Sequence, residues 1–154
     1  MTTDGPMLCG GCRAAGACRL GIGSLVLEQR AGSSAVVRCD PKHRGGPNIA
    51  HGGWTAAVFD DAMGRTLAML EAGTVTASLT IEYLRPVPVD EELLLRVMIG
   101  LREGRRWNVS ASLQLARAPT ELARATGVWI ERRADHYERH SEELKEYRSS
   151  IEGP

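Results

Sequence analysis

The chain has 154 residues, 43% of them apolar and 25% charged, which is the balance of one ordinary globular domain with a sizeable core. Nineteen basic and nineteen acidic side chains cancel, so no net basic field points to nucleic acid or to an anionic membrane as partner. No apolar run reaches the roughly 20 residues of a membrane span, and residues 1–11 lack the basic flank and apolar core of a signal peptide. The expected location is cytoplasmic.

Residues 1–20 are rich in Gly, Ala and Cys and show no period, so an irregular N-terminal segment is expected there. Residues 25–28 and 35–39 are short apolar stretches separated by Gly32-Ser33-Ser34, a strand–turn–strand pattern. Residues 40–53 carry Pro41, Gly45, Gly46, Pro47, Gly52 and Gly53, which is loop chemistry. From 54 to 70, alanines with Met63, Leu67, Met69 and Leu70 run without a proline. This predicts one helix, apolar most of the way round and therefore buried, stopped by Gly73.

After Gly73 the period becomes two. Val75, Ala77, Leu79, Ile81 and Tyr83 form one apolar set, ended by Pro86 and Pro88. Leu93, Leu95, Val97, Ile99 and Leu101 form a second, with a turn at 102–105. Trp107, Val109, Ala111, Leu113 and Leu115 form a third, and Leu122, Arg124, Thr126, Val128 and Ile130 a fourth. Four such segments with short connections predict an antiparallel meander with one buried face. Residues 135–151 are charged with sparse apolar points, which fits a loosely docked helix or a tail. The expected organisation is residues 1–20 as the Cys-containing segment, 21–133 as the domain, and 134–154 as a charged C-terminal helix or tail. The fold class is α+β, one long buried helix wrapped by an antiparallel sheet of five to six strands.

Chemistry concentrates between His51 and Thr76. Gly52 and Gly53 stand just before the helix, where small residues let a ligand approach the backbone. The first helical turn has unpaired N–H groups and a partial positive charge. A carbonyl placed there would find donors for a developing oxyanion, the Gly53 N–H among them. Asp60 shares a helical face with Ala56, Met63, Gly64 and Leu67 and has no basic residue three or four positions away. It reads as a carboxylate on an apolar face without a local partner, which needs either a partner elsewhere or a task. Asp61, with Arg65 at i+4, reads as an ordinary surface or edge pair. Thr76 lies on the polar face of the first long strand, where its hydroxyl can hold a water or the Asp60 carboxylate.

These residues resemble a known family. His51-Gly52-Gly53 with Asp60 nine positions after the histidine is similar to the phenylacetate-type (PaaI-like) thioesterases of the hotdog fold. So is the strand Thr76-Ala77-Ser78-Leu79-Thr80-Ile81-Glu82-Tyr83-Leu84-Arg85-Pro86, with its Tyr-Leu-Arg-Pro end. The likeness covers about residues 20–132. It implies hydrolysis of an acyl-CoA thioester, with Asp60 as general base or nucleophile and Thr76 positioning water or the carboxylate. Gly53 N–H would polarise the carbonyl, and His51 would shape the start of the helix and contact the thioester. Asn48, Gly52, Trp54, Ala77, Ser78, Arg85 and Arg105 are the implied substrate-binding positions. Relatives are dimers or tetramers with sites between subunits, so Asp60 and Thr76 are expected to meet across an interface. The chain departs from the pattern twice: Gly45 stands where many relatives have Asn, and Gly64 where some have Ser or Thr. Trp54 either narrows the substrate channel or belongs to the core.

Cys9-x2-Cys12 followed by Cys18 is half of a zinc pattern. No second pair completes it, although Cys39, His43 or a second subunit could add a ligand. A structural feature without metal is the preferred reading. Arg102, Arg105 and Arg106 surround a turn and either meet CoA phosphates or face solvent. No metal or organic cofactor is expected, CoA being part of the substrate. The alternatives are a non-catalytic acyl-CoA binder and a hotdog enoyl-CoA hydratase or dehydratase.

Overall fold

The computed structural model describes residues 8–29 and 31–152. A four-residue helix, α1 (Gly10–Arg13), precedes the strands β1 (Val26–Glu28) and β2 (Gly32–Arg38). A 3-10 turn at Pro41–His43 leads into a small hairpin, β3 (Arg44–Gly46) and β4 (Ile49–Ala50). Then come helix α2 (Gly52–Met69) and the strands β5 (Thr74–Tyr83), β6 (Glu92–Glu103), β7 (Arg106–Leu115) and β8 (Glu121–Glu131). Helix α3 (His136–Glu152) follows, at the place where the charge pattern left a helix or a tail open.

The large sheet has six antiparallel strands in the order β1-β2-β6-β7-β8-β5. Both β1 and β5 are edges. Helix α2 lies against one face and buries Val58, Phe59, Ala62, Met63, Thr66 and Leu67. This spacing of three and four places one stripe on the sheet. Facing it are Val37, Leu93, Leu95, Val97, Val109, Leu113 and Trp129. A polar contact deep in this core is satisfied: Ser33 Oγ and Thr66 Oγ1 lie 2.6 Å apart, and Thr66 Oγ1 donates to the Ala62 carbonyl.

Two expectations are corrected. On β8 the inward set is Leu122, Ala123, Ala125 and Trp129, while Arg124 and Thr126 face solvent. The larger residues at 124–130 suggested the opposite face, but the buried Trp129 indole fills the space beside the small side chains of this strand. Gly127 shows how little room is left: a Cβ would stand 2.5 Å from the Trp129 ring and 2.7 Å from the Ser78 carbonyl oxygen. On β5 the two-residue alternation breaks, because the register with β8 shifts between Thr76 and Ser78. Ala77, in that bulge, is exposed rather than turned to the core.

Helix α2 and β5 run alongside each other in opposite directions. Tyr83, at the end of β5, donates its hydroxyl to the Gly52 carbonyl at 3.0 Å. Thr76, near the start of β5, meets Asp60, further along the helix. This pairing sets the frame of the site.

Candidate active site

His51 is the N-cap of α2. Its Nδ1 accepts the Gly53 N–H at 2.9 Å, and its carbonyl accepts the N–H of Trp54. The cap satisfies donors that the first turn leaves without helical partners. With Nδ1 accepting, the ring N–H is the one at Nε2. The ring is exposed and lines a cleft of about 390 Å³ with Leu20, His43, Gly53, Trp54 and Ala57. The Gly53 N–H foreseen as an oxyanion donor is therefore engaged by the cap in this state.

The loop before the helix is tightly built. His51 N donates to the His43 carbonyl at 2.8 Å, which places the β3–β4 hairpin beside the cap. A side chain at Gly45 would put its Cβ 2.9 Å from the His51 Cα, so the Asn of relatives has no place here in this backbone. Asn48 takes a positive φ of 57° at the hairpin turn and holds Val89 N through its carbonyl. Its role in this structure is backbone geometry.

Asp60 and Thr76 come together within one chain. Thr76 Oγ1 donates to Asp60 Oδ1 at 2.7 Å, and both residues are exposed. This corrects the expectation that the two meet across an interface. It also corrects the reading of Asp60 as a carboxylate sunk in an apolar face. The sheet takes the Val58–Phe59–Met63 side of the helix and leaves Asp60 on the far side, beside the half-buried Ala56 and Gly64.

The desolvated acid is its neighbour. Asp61 pairs with Arg65 Nη2 at 2.7 Å, with side-chain exposures of 17% and 7%. Burial raises the Asp61 carboxyl above its ordinary value, Arg65 opposes the rise, and Asp60 adds to it. The i+4 spacing identified the partner but not the depth.

At Gly64, where some relatives carry a hydroxyl, a Cβ would lie 3.4 Å from Nε1 of Trp129, an ordinary contact distance. Trp54 is only 4% exposed and donates its indole N–H to the Leu20 carbonyl at 3.2 Å. It belongs to the core and forms the floor of the cleft rather than projecting into a channel. Ala77 and Ser78 are exposed beside Thr76. Arg85 donates to the Glu121 carbonyl, and Arg105 donates twice to the Glu131 carbonyl. The structure does not bring either arginine to the cleft. Tyr83, His43 and Leu20 are the site neighbours that sequence reasoning missed. The hydroxyl of Tyr83 at the end of an alternating strand was the available signal.

Among the described residues no group of three or more His, Cys, Asp or Glu side chains is placed to hold a metal ion. No helix among them is long and apolar enough to cross a membrane.

A long helix packed on one face of an antiparallel six-stranded sheet defines the hotdog fold. Residues 47–113, which hold the cap, the helix, Asp60 and Thr76, match the family model of the thioesterase superfamily. The chain has the hotdog fold, and over these residues it resembles that superfamily. Mouse acyl-coenzyme A thioesterase THEM4 is 32% identical over 87 residues, 56% of this chain and 37% of that protein. Mouse acyl-coenzyme A thioesterase THEM5 is 29% identical over 91 residues, 59% of this chain and 37% of that protein. The matched segment thus spans little more than a third of these curated relatives. Among solved structures, the E. coli PaaI protein from the phenylacetic acid degradation operon superposes with a TM-score of 0.67 at 17% identity, over 78% of this chain and 87% of that one. Mouse thioesterase superfamily member 2 superposes with a TM-score of 0.67 at 20% identity, over 80% and 88%. A Streptococcus pneumoniae thioesterase-like protein with bound coenzyme A gives 0.61 at 16% identity, over 65% and 80%. At these identities the structural likeness concerns the fold.

Proposed function

We propose that the domain hydrolyses an acyl-CoA thioester to the free acid and CoA. The observation that carries the proposal is the exposed Asp60 carboxylate held by Thr76 Oγ1 at 2.7 Å. One carboxylate oxygen is fixed by the hydroxyl, and the other is left to take a proton from water. That water attacks the thioester carbonyl, the C–S bond breaks, and the CoA thiolate leaves and is protonated. The helix start supplies the electrostatic part. Binding of the carbonyl draws the Gly53 N–H from His51 Nδ1, and the ring keeps an Nε2 proton to offer the substrate. Water is the only co-reactant, so the reaction needs no resident cofactor. The cytosol is the compartment we assign to it. The matches to THEM4 and THEM5 support the substrate class.

The site as proposed is shared between two copies of the chain. Gly53 and Asp60 are seven residues apart on one helix, which is about 10 Å along its axis. A general base works within roughly 3 Å of the proton it takes, which a carboxylate and a helix start set face to face from two copies reach more readily than two groups spread along one helix. A second copy can set its helix start against Asp60 and Thr76. The free edge of β5 and the small residues around Asp60 leave that side of the protomer open.

The test is free-thiol release from short, long and aryl acyl-CoAs, run beside hydration of an enoyl-CoA. Thiol release without hydration is the expected result. Saturable acyl-CoA binding without thiol release would replace this reading with that of a binding protein.

A further inference from the structure

The N-terminal cysteines are not used by the proposed hydrolysis, and they are not alike. Cys39 is fully buried, and desolvation pushes its thiol up to about 11, which makes it inert at neutral pH. Cys9 is the N-cap of α1 and is partly exposed; Cys12, three residues on, is buried. The backbone N–H of Arg19 points at Cys12 Sγ from 3.2 Å. The Arg19 guanidinium crosses above Gly11, between the two cysteines: a Cβ on Gly11 would stand 2.5 Å from its Nη2. Glycine at this position is what lets the cation lie over the pair.

We propose that Cys9 and Cys12 form a thiol–disulfide exchange site for low-molecular-weight disulfides, and that its redox state is transmitted to the cleft wall through Arg19 and Leu20. The partly exposed Cys9, as its thiolate, attacks the small disulfide RSSR, forms a mixed disulfide and releases one RS⁻. The Cys12 thiolate then attacks Cys9 Sγ and expels the second RS⁻. Both leaving thiolates take up the two protons that the cysteines lost, so the balance is two protein thiols plus RSSR giving one protein disulfide plus two RSH. The Arg19 N–H bond, against the opposing effect of burial and with help from its guanidinium and the Cys9 contact, lowers the Cys12 thiol below its ordinary value and so favours the resolving thiolate.

Oxidation re-sites the Cys12 Sγ against which the Arg19 N–H rests. The effect reaches the cleft by a short path. The Arg19 carbonyl lies 3.3 Å from His43 Nε2, and the next residue, Leu20, accepts the Trp54 indole N–H. Leu20, His43 and Trp54 all line the cleft beside His51. The inference stands on the thiols and their neighbours, independently of what the cleft binds.

The experiment equilibrates the reduced, full-length chain with graded mixtures of oxidised and reduced glutathione, quenches by alkylation and maps the result by mass spectrometry. The expected product has lost two hydrogens and is blocked at Cys9 and Cys12 alone, with Cys18 and Cys39 still alkylated after unfolding. Cys12→Ser should stop at a glutathione adduct on Cys9, and Arg19→Gln should slow closure severalfold. Hydrogen exchange of the peptide holding Arg19 and Leu20 should quicken on oxidation in wild type and stay unchanged in Cys9→Ser. No disulfide at any mixture, or Cys18 standing in for either partner, overturns the site. Unchanged exchange overturns its link to the cleft. Thiol release from acyl-CoA enters neither readout.

Discussion

Thr76 Oγ1 donates to Asp60 Oδ1 at 2.7 Å, joining a strand and a helix across sixteen residues of sequence. The contact orients one carboxylate oxygen and leaves the other open to solvent. Thr76→Val keeps the shape and removes the donor. A hydrogen bond to a charged group is worth roughly 1.5–3 kcal/mol, so kcat should fall about tenfold or more. Thr76→Ser should retain most activity. Equal loss in both variants would show that the hydroxyl is not the operative group.

The hairpin ahead of the helix sets the cap. Gly45→Ala places a Cβ 2.9 Å from the His51 Cα, and His51 has to move. Misplacement at this scale is expected to cost roughly tenfold to a hundredfold in kcat/KM. The hairpin is exposed, so the melting temperature should change little. Steady-state kinetics with a melting curve checks both halves, and an unaltered kcat/KM would mean that the cap position is immaterial.

Asp61 gives the protein a pH signature in stability rather than in rate. Burial is the largest cause of its raised carboxyl, with Arg65 opposing. The folded state then holds this proton more tightly than the unfolded chain. The contribution is complete below the unfolded carboxyl's ordinary range and is lost as pH rises through the raised folded value. Thermal unfolding of wild type and Asp61→Asn, from acid to neutral pH, should show wild type losing stability relative to the variant as pH climbs. A constant difference would contradict the burial account.

Site sharing predicts complementation. Asp60→Asn and His51→Ala should each be impaired, but a mixture refolded together should regain up to about a quarter of wild-type activity if a two-fold dimer pairs one intact half from each chain. A site built within one chain would show no recovery, and sedimentation of the wild type would report the oligomer directly.

Much of this architecture was legible from periodicity. The change from a helical period to a period of two at Gly73 marks the boundary between α2 and β5, and the Leu93–Leu95–Val97 and Val109–Ala111–Leu113 sets are buried as their alternation implies. The face of β8 was not legible, because Ala123, Ala125 and Gly127 carry little hydrophobic signal. Their importance lies in the space they leave for Trp129. Nor was the bulge at Ala77, which depends on register with a strand more than forty residues away. Within the site, Asp60 and Thr76 stood out by residue type and spacing. Their exposure did not, because a helical wheel shows neighbours but not which side the sheet covers. The same blindness hid the burial of Asp61. The hydroxyl of Tyr83 on Gly52 joins two ends that only the folded chain brings together.

The central claim is that Asp60 performs the hydrolysis. Free-thiol release by wild type and Asp60→Asn, on the best acyl-CoA of a panel and with folding checked by circular dichroism, tests it most directly. Asparagine can still accept the Thr76 hydrogen bond but cannot take a proton from water. Loss of a general base typically lowers rates 10²–10⁴-fold, and a fall in kcat of about that size with KM little changed is the predicted result. Full activity in a folded Asp60→Asn variant would contradict the account.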